Sequence, residues 1–235
     1  MGKIIVAIDG HSSTGKSTIA KRLAQALDYT YVDTGAMYRA IAFFALENGI
    51  IQENLDTEKL IKALPRIQLS FEKNDQSDIA EICLDGDSVE AKIRNLKVSK
   101  WVSHVAAVKE VREKLVEMQQ QIGLDKGVVM DGRDIGTVVF PQAELKIFMT
   151  ASSETRAHRR YKELLDRGDE VTYEQVLKNV QERDFIDSTR SVSPLKKAKD
   201  AIHFDNSDMG LEAQFERIYN FAQRVIAKAS WTNTF

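Results

Sequence analysis

The sequence predicts an α/β fold, a five-stranded parallel sheet flanked by helices with a small antiparallel β insert. Three observations lead there. Five short apolar runs, rich in β-branched residues and bounded by turn residues, read as buried parallel strands at residues 3–9, 29–33, 127–131, 145–150 and 201–205. Helical patterns lie between most of them, for example over 16–27, 98–122 and 212–228, and strand alternating with helix implies a parallel sheet covered on both faces. One stretch breaks this rhythm with strict period two: Ile67, Leu69 and Phe71 before the polar turn "KNDQSD", and Ala80, Ile82 and Leu84 after it. That pattern reads as an antiparallel hairpin with one wet face, in an insert over about 65–94 that projects from the main sheet.

The first strand, "KIIVAID", runs into "GHSSTGKST" and then the amphipathic helix "STIAKRLAQAL". Gly10, Gly15, Lys16 and Ser17 fit G-x-x-x-x-G-K-[ST] with strand before and helix after, the context that a phosphate loop requires. Glycines let backbone N–H groups approach phosphates closely, and the helix N-terminus adds partial positive charge. The expected fold is therefore that of the phosphate-loop NTPases. Residues Gly10, His11, Ser12, Ser13, Thr14, Gly15, Lys16, Ser17 and Thr18 would hold ATP, with Lys16 on the β/γ-phosphates and the Ser17 hydroxyl on Mg2+.

The second strand ends in "DTGAMYRA", which sets the Thr34 hydroxyl ahead of a helix carrying Tyr38 and Arg39. An arginine at the carboxyl edge of a parallel sheet suits a second anion, although by itself it reads better as a surface arginine on an amphipathic helix. The third strand runs into "VVMDGRDIGT". There Asp131 is placed as a magnesium carboxylate, with Arg133 and Asp134 following on a glycine-bearing turn. Between residues 154 and 190, Arg156, Arg159 and Arg160 share one helix face, as do Arg183, Asp187 and Arg190. Two such helices joined by "DRGDEVTYEQ" suit a mobile lid that excludes water, or helix faces laced with ion pairs.

Composition narrows the partners. With 235 residues, 43% hydrophobic and 29% charged, the chain is long enough for one core plus an insertion. A formal net charge of -2 gives no general field for nucleic acid, so an anion site must be local. The single cysteine, Cys83, suits a reducing compartment, and one cysteine with four scattered histidines offers no metal-ligand spacing. No run approaches the roughly 20 apolar residues of a membrane span, and the first apolar run is wrongly flanked for a signal peptide. A cytoplasmic protein without nucleic-acid or membrane partners is expected. The closing "SWTNTF" carries no functional reading.

Taken together, the phosphate loop, "DTGAMYR", "VRE", "DGRDIGTVVFP", "ASSETRAHRR" and "ERDFIDSTRSVSPL" resemble the bacterial cytidylate kinases, in order over residues 3–228. The resemblance implies one nucleoside monophosphate kinase domain: core 1–64, 123–155 and 195–235, nucleotide-binding insert about 65–105, lid about 156–190. It implies γ-phosphate transfer from ATP to CMP or dCMP by a monomer. Arg39, Arg133 and Arg190 would hold the acceptor phosphate, and Thr34, Tyr38 and Arg94 complete its surroundings. Ser103, Arg112 and Asp134 would read cytosine, whose amine donor and N3/O2 acceptors complement a carboxylate with Arg and Ser donors. Arg183 and Asp187 would hold the ribose, and Arg156, Arg159 and Arg160 would lie near the transferring group. The loop departs from the common Pro-Ser-Gly-Ala-Gly-Lys-Gly, and Ser17 restores a hydroxyl that glycine lacks. One structural demand follows: nine residues separate Ser103 from Arg112, so a straight helix would aim them apart, and a break near 106–109 is predicted. Rival readings are a kinase of another acceptor, a nucleotide switch, which lacks an Asn-Lys-x-Asp motif here, and an RNA-binding module.

Overall fold

The computed structural model describes residues 2–73 and 80–232; most of the expected "KNDQSD" turn, Phe235 and the side chain of Trp231 lie outside the described residues. In chain order the elements are β1 (Ile5–Gly10), α1 (Lys16–Leu27), β2 (Thr30–Asp33), α2 (Thr34–Glu47), α3 (Thr57–Ala63), β3 (Leu69–Lys73), β4 (Ala80–Leu84) and β5 (Asp87–Ser88). They continue with α4 (Leu96–Ala107), α5 (Lys109–Ile122), β6 (Val128–Gly132), β7 (Leu145–Thr150), α6 (Ser153–Asp166), α7 (Tyr173–Thr189), β8 (Ile202–Asp205) and α8 (Leu211–Thr232).

Five strands form a parallel sheet in the order β2-β6-β1-β7-β8. Their apolar residues are buried on both faces, as crossover helices require. Ile19 and Leu23 of α1 pack with Ile218, Ala222 and Ile226 of α8 against β1 and β7. A larger core joins α2, α4 and the insert, with Ile41, Ile82 and Val105 all fully buried. Register sets the chemistry of the sheet's carboxyl edge: Asp33 pairs with Asp131, and Asp9 with Gly132, so three carboxylates end adjacent strands where ligands gather in open α/β sheets.

The expected hairpin forms, with Leu69 opposite Leu84 and Phe71 opposite Ile82. A third strand, β5, joins it by only two residues, too few to show any alternation in sequence. The expected break also forms. Asn95 caps α4 by accepting from the Val98 N–H, and Val108 is extended at φ −73°, ψ 123° before α5 begins. The carbonyl of Ala106, freed there, accepts from Arg112 at 3.1 Å.

Gly10 closes β1 with its Cα directly against the β7 backbone. A Cβ there would overlap the Met149 carbonyl, which cannot move without breaking the sheet. Gly10→Ala is expected to cost about 3 kcal/mol. In a chain of this size that is a drop in Tm of roughly 10 °C in a thermal melt. An unchanged Tm would contradict this packing.

Candidate active site

The site is built on the loop between β1 and α1. Gly15, at φ 88°, leads into α1 without a side-chain cap, so among the described residues no N-cap side chain takes up the first N–H groups of the helix. Lys16 is buried, and its Nζ donates to the His11 carbonyl at 2.9 Å. The Ser17 hydroxyl donates to Asp131 Oδ2 at 2.9 Å, and the Tyr31 hydroxyl to Asp131 Oδ1 at 2.9 Å. Residues of α6, joined by Asn206, brace this loop from behind. Arg156 reaches the Ser12 carbonyl and binds Asp184 through two nitrogens, while Arg159 and the buried Asn206 both donate to the Thr14 carbonyl.

In front of the loop lies a cavity of about 290 Å3 whose walls come from α2, α4, α5, α6, α7 and the β6 turn. Seven arginines line it. Arg39 and Arg94 both donate to Asp33 Oδ2, at 2.8 and 3.1 Å. Arg133 Nε donates to Asp187 Oδ2 at 2.9 Å, and Arg190 lies 3.7 Å from the same carboxylate's Oδ1. Arg183 donates to the hydroxyls of Ser12 and Ser99, at 2.9 and 3.0 Å. Farther in, Arg112 pairs with Asp134 and lies 5.2 Å from the Tyr38 ring centroid, with Ser103 buried on the facing helix. Thr34 turns its hydroxyl to the Asp131 carbonyl at 2.8 Å rather than to the open space.

So much positive charge in a buried space has consequences. Burial pushes Lys16 down to about 7, the Arg133 guanidinium adds repulsion, and Asp131 and Asp33 only partly oppose them. Burial and Arg133 likewise lower Arg183, to about 9. Burial would raise Asp33, but Arg39 and Arg94 outweigh it and hold the carboxyl at about 2. Asp131 moves up, through burial and the neighbouring Asp33. The cavity is thus short of anions, and a polyphosphate would restore the charge of Lys16. At pH 8, binding of a nucleoside triphosphate is expected to take up a proton, seen as a calorimetric enthalpy that varies with buffer ionisation heat. Binding enthalpies identical in all buffers would contradict it.

The structure brings Ser12, Ser13, Gly15, Lys16, Ser17 and Thr18 to the cavity with Thr34, Tyr38, Arg39, Arg94, Ser103, Arg112, Asp131, Arg133, Asp134, Arg160, Arg183, Asp187 and Arg190. Gly10, His11 and Thr14 shape the loop without facing that space, and Arg156 and Arg159 stand behind it. Sequence reading missed Ser99 and Glu163, which line the cavity, and Asn179, whose Oδ1 accepts from the Ser99 hydroxyl at 2.9 Å. Ser99 lies four residues before Ser103, and Asn179 four before Arg183, so helical spacing held a signal for both.

A parallel sheet with a phosphate loop at its carboxyl edge, facing a second arginine-lined pocket within one cavity, defines a phosphate-loop kinase of a small anionic acceptor. The sequence profile of the cytidylate kinase family matches residues 6–224. A cytidylate kinase of Flavobacterium johnsoniae is 59% identical over 227 residues, covering 96% of this chain and 99% of that one. One from Bacteroides thetaiotaomicron is 52% identical over 217 residues, covering 92% and 95%. The chain belongs to the cytidylate kinase family.

Proposed function

We propose that the chain transfers the γ-phosphate of ATP directly to CMP or dCMP, giving the diphosphate and ADP for pyrimidine nucleotide metabolism in the cytoplasm. The observation that carries this reading is the shared cavity: the loop Lys16 and the acceptor arginines face one space, and Arg133 is close enough to Lys16 to lower its proton affinity. In this reading ATP lies on residues Gly10 to Thr18, with the N–H groups of the loop and of α1 on its phosphates.

The acceptor phosphate sits among Arg39, Arg133 and Arg190, with Arg94 alongside. Asp134 accepts from the cytosine amine while Arg112 and Ser103 donate to its acceptors, and Arg183 with Asp187 holds the sugar. The cytosine set depends on the break at Val108, which turns Ser103 and Arg112 toward the same space. In the lid span 156–190, which takes in most of α6 and all of α7, α6 carries Arg160 over the transferring group. The proposed enzyme works as a monomer.

Ser17 and Asp131 offer a hydroxyl and a carboxylate 2.9 Å apart beside Lys16, a hard-oxygen set that fits Mg2+. Once bound, the ion supplies charge neutralisation on the phosphate oxygens. The protein's own part is positioning and electrostatics. The acceptor oxygen is already anionic, so no strong base is needed, and fixed cations meet the charge that develops in an in-line transfer.

With ATP labelled in its γ-phosphate, the label is expected in the β-position of CDP and nowhere on the protein. Labelled protein, or label found only in inorganic phosphate, would contradict direct transfer.

A further inference from the structure

We infer that Asp9 is a positioning residue for base recognition: by capping the turn after Asp134 from a neighbouring strand, it leaves the Asp134 carboxylate free to face the acceptor. The inference rests on the reading of Asp134 as the cytosine contact.

Asp9 is the next-to-last residue of β1, is buried, and takes no part in the proposed phosphoryl transfer. Its two carboxylate oxygens accept from consecutive backbone N–H groups, Oδ1 from Ile135 and Oδ2 from Gly136, both at 2.8 Å. Those are the first two N–H groups of the π-helical turn Ile135–Val139. The first N–H groups of any helical turn lack partners within it, and an aspartate just before the turn is among the side chains that most often supply one. Asp134 occupies that preceding position, yet its side chain makes no capping bond. It pairs instead with Arg112, and its other oxygen lies 4.0 Å from Arg190.

Two aspartates could therefore serve the same donors, and the arrangement divides the work. Asp9 takes the capping position across the sheet, and Asp134 is left for the cavity. The contact is also closely packed: a Cβ on Gly136 would lie 3.3 Å from Asp9 Oδ2 and 3.1 Å from Lys146 Cδ. Without the Asp9 carboxylate, buried N–H groups lose their acceptor, and the Asp134 side chain, adjacent in sequence, can rotate back to them. It then leaves the base.

The experiment is steady-state kinetics with CMP and UMP as acceptors, together with KM for ATP, on Asp9→Asn. The amide keeps one acceptor oxygen but faces the second N–H with a donor. The preference for CMP over UMP in kcat/KM is expected to fall about tenfold or more, while KM for ATP stays within about twofold. A fall in kcat or Tm with the CMP/UMP ratio unchanged would make Asp9 merely structural and overturn the inference. Asp134→Ala separates the two layers. If it leaves the ratio unchanged, the base reading fails and the inference with it. If it collapses the ratio while Asp9→Asn does not, only the inference fails. Should Asp9→Asn not fold, Gly136→Ala decides, because its methyl presses on the same carboxylate. A reduced ratio supports the inference and a wild-type ratio overturns it.

Discussion

Replacing Lys16 with Met lowers kcat by about a thousandfold, in the range seen when one preorganised charge or donor is removed from a transition state. The fold survives at least as well as before. In the wild type the amine is buried and its proton affinity is pushed down to about 7, so the protein bears the desolvation of a cation that Met does not carry. The His11 carbonyl loses one donor but keeps the Thr14 hydroxyl at 3.1 Å. The pH dependence of stability gives a second reading. A lysine lowered from 10.5 to about 7 on folding takes up its proton first in the unfolded chain. That contribution to stability is therefore lost as pH falls from 10.5 to about 7 and is constant below. Lys16→Met removes this slope. Chemical denaturation at pH 7 and 10, beside kcat measurements, checks both; near-normal turnover would contradict the placement of Lys16 on the phosphates.

Arg133→Ala is expected to cost a comparable factor, about a thousandfold in kcat/KM for CMP, or roughly 4 kcal/mol of transition-state stabilisation. Arg133 holds Asp187 with its Nε, which anchors its guanidinium near Lys16; in the proposed reading the remaining N–H groups of the fork meet the phosphate. Burial would raise Asp187, but Arg133, Arg183 and Arg190 together hold it below the ordinary carboxylate range. With Arg133 gone, Arg190 and Arg183 still face that carboxylate, so the fold persists. Arg133→Lys is expected to recover only a small part of the activity, because a point charge cannot serve carboxylate and phosphate through one planar fork. Normal turnover and a normal KM for CMP in Arg133→Ala would contradict the assigned role.

What could be read from the sequence divides along local and non-local lines. The phosphate loop was legible because strand, glycines, lysine and helix follow one another within a short run of residues. The break at Val108 was legible because the family resemblance set Ser103 and Arg112 on one base, and a straight helix would aim them apart. Strand β5 was not, since Asp87 and Ser88 are in a sheet only by virtue of β4. The facing of the α6 arginines was not legible either. Arg156, Arg159 and Arg160 share a helix face, yet only Arg160 lines the cavity, and the other two turn to carbonyls of the phosphate loop more than a hundred residues earlier. Asp9 stands at the end of an apolar run, and only the β1–β6 register reveals that it serves the turn after Asp134.

The most direct measurement is ADP release from Mg·ATP with CMP, dCMP, UMP, AMP or no acceptor. Strong stimulation by CMP and dCMP, weaker by UMP, is the predicted result, since it requires both anion subsites and the cytosine-reading set around Asp134. ATP hydrolysis indifferent to every acceptor would contradict the account, leaving a phosphate loop without a second substrate.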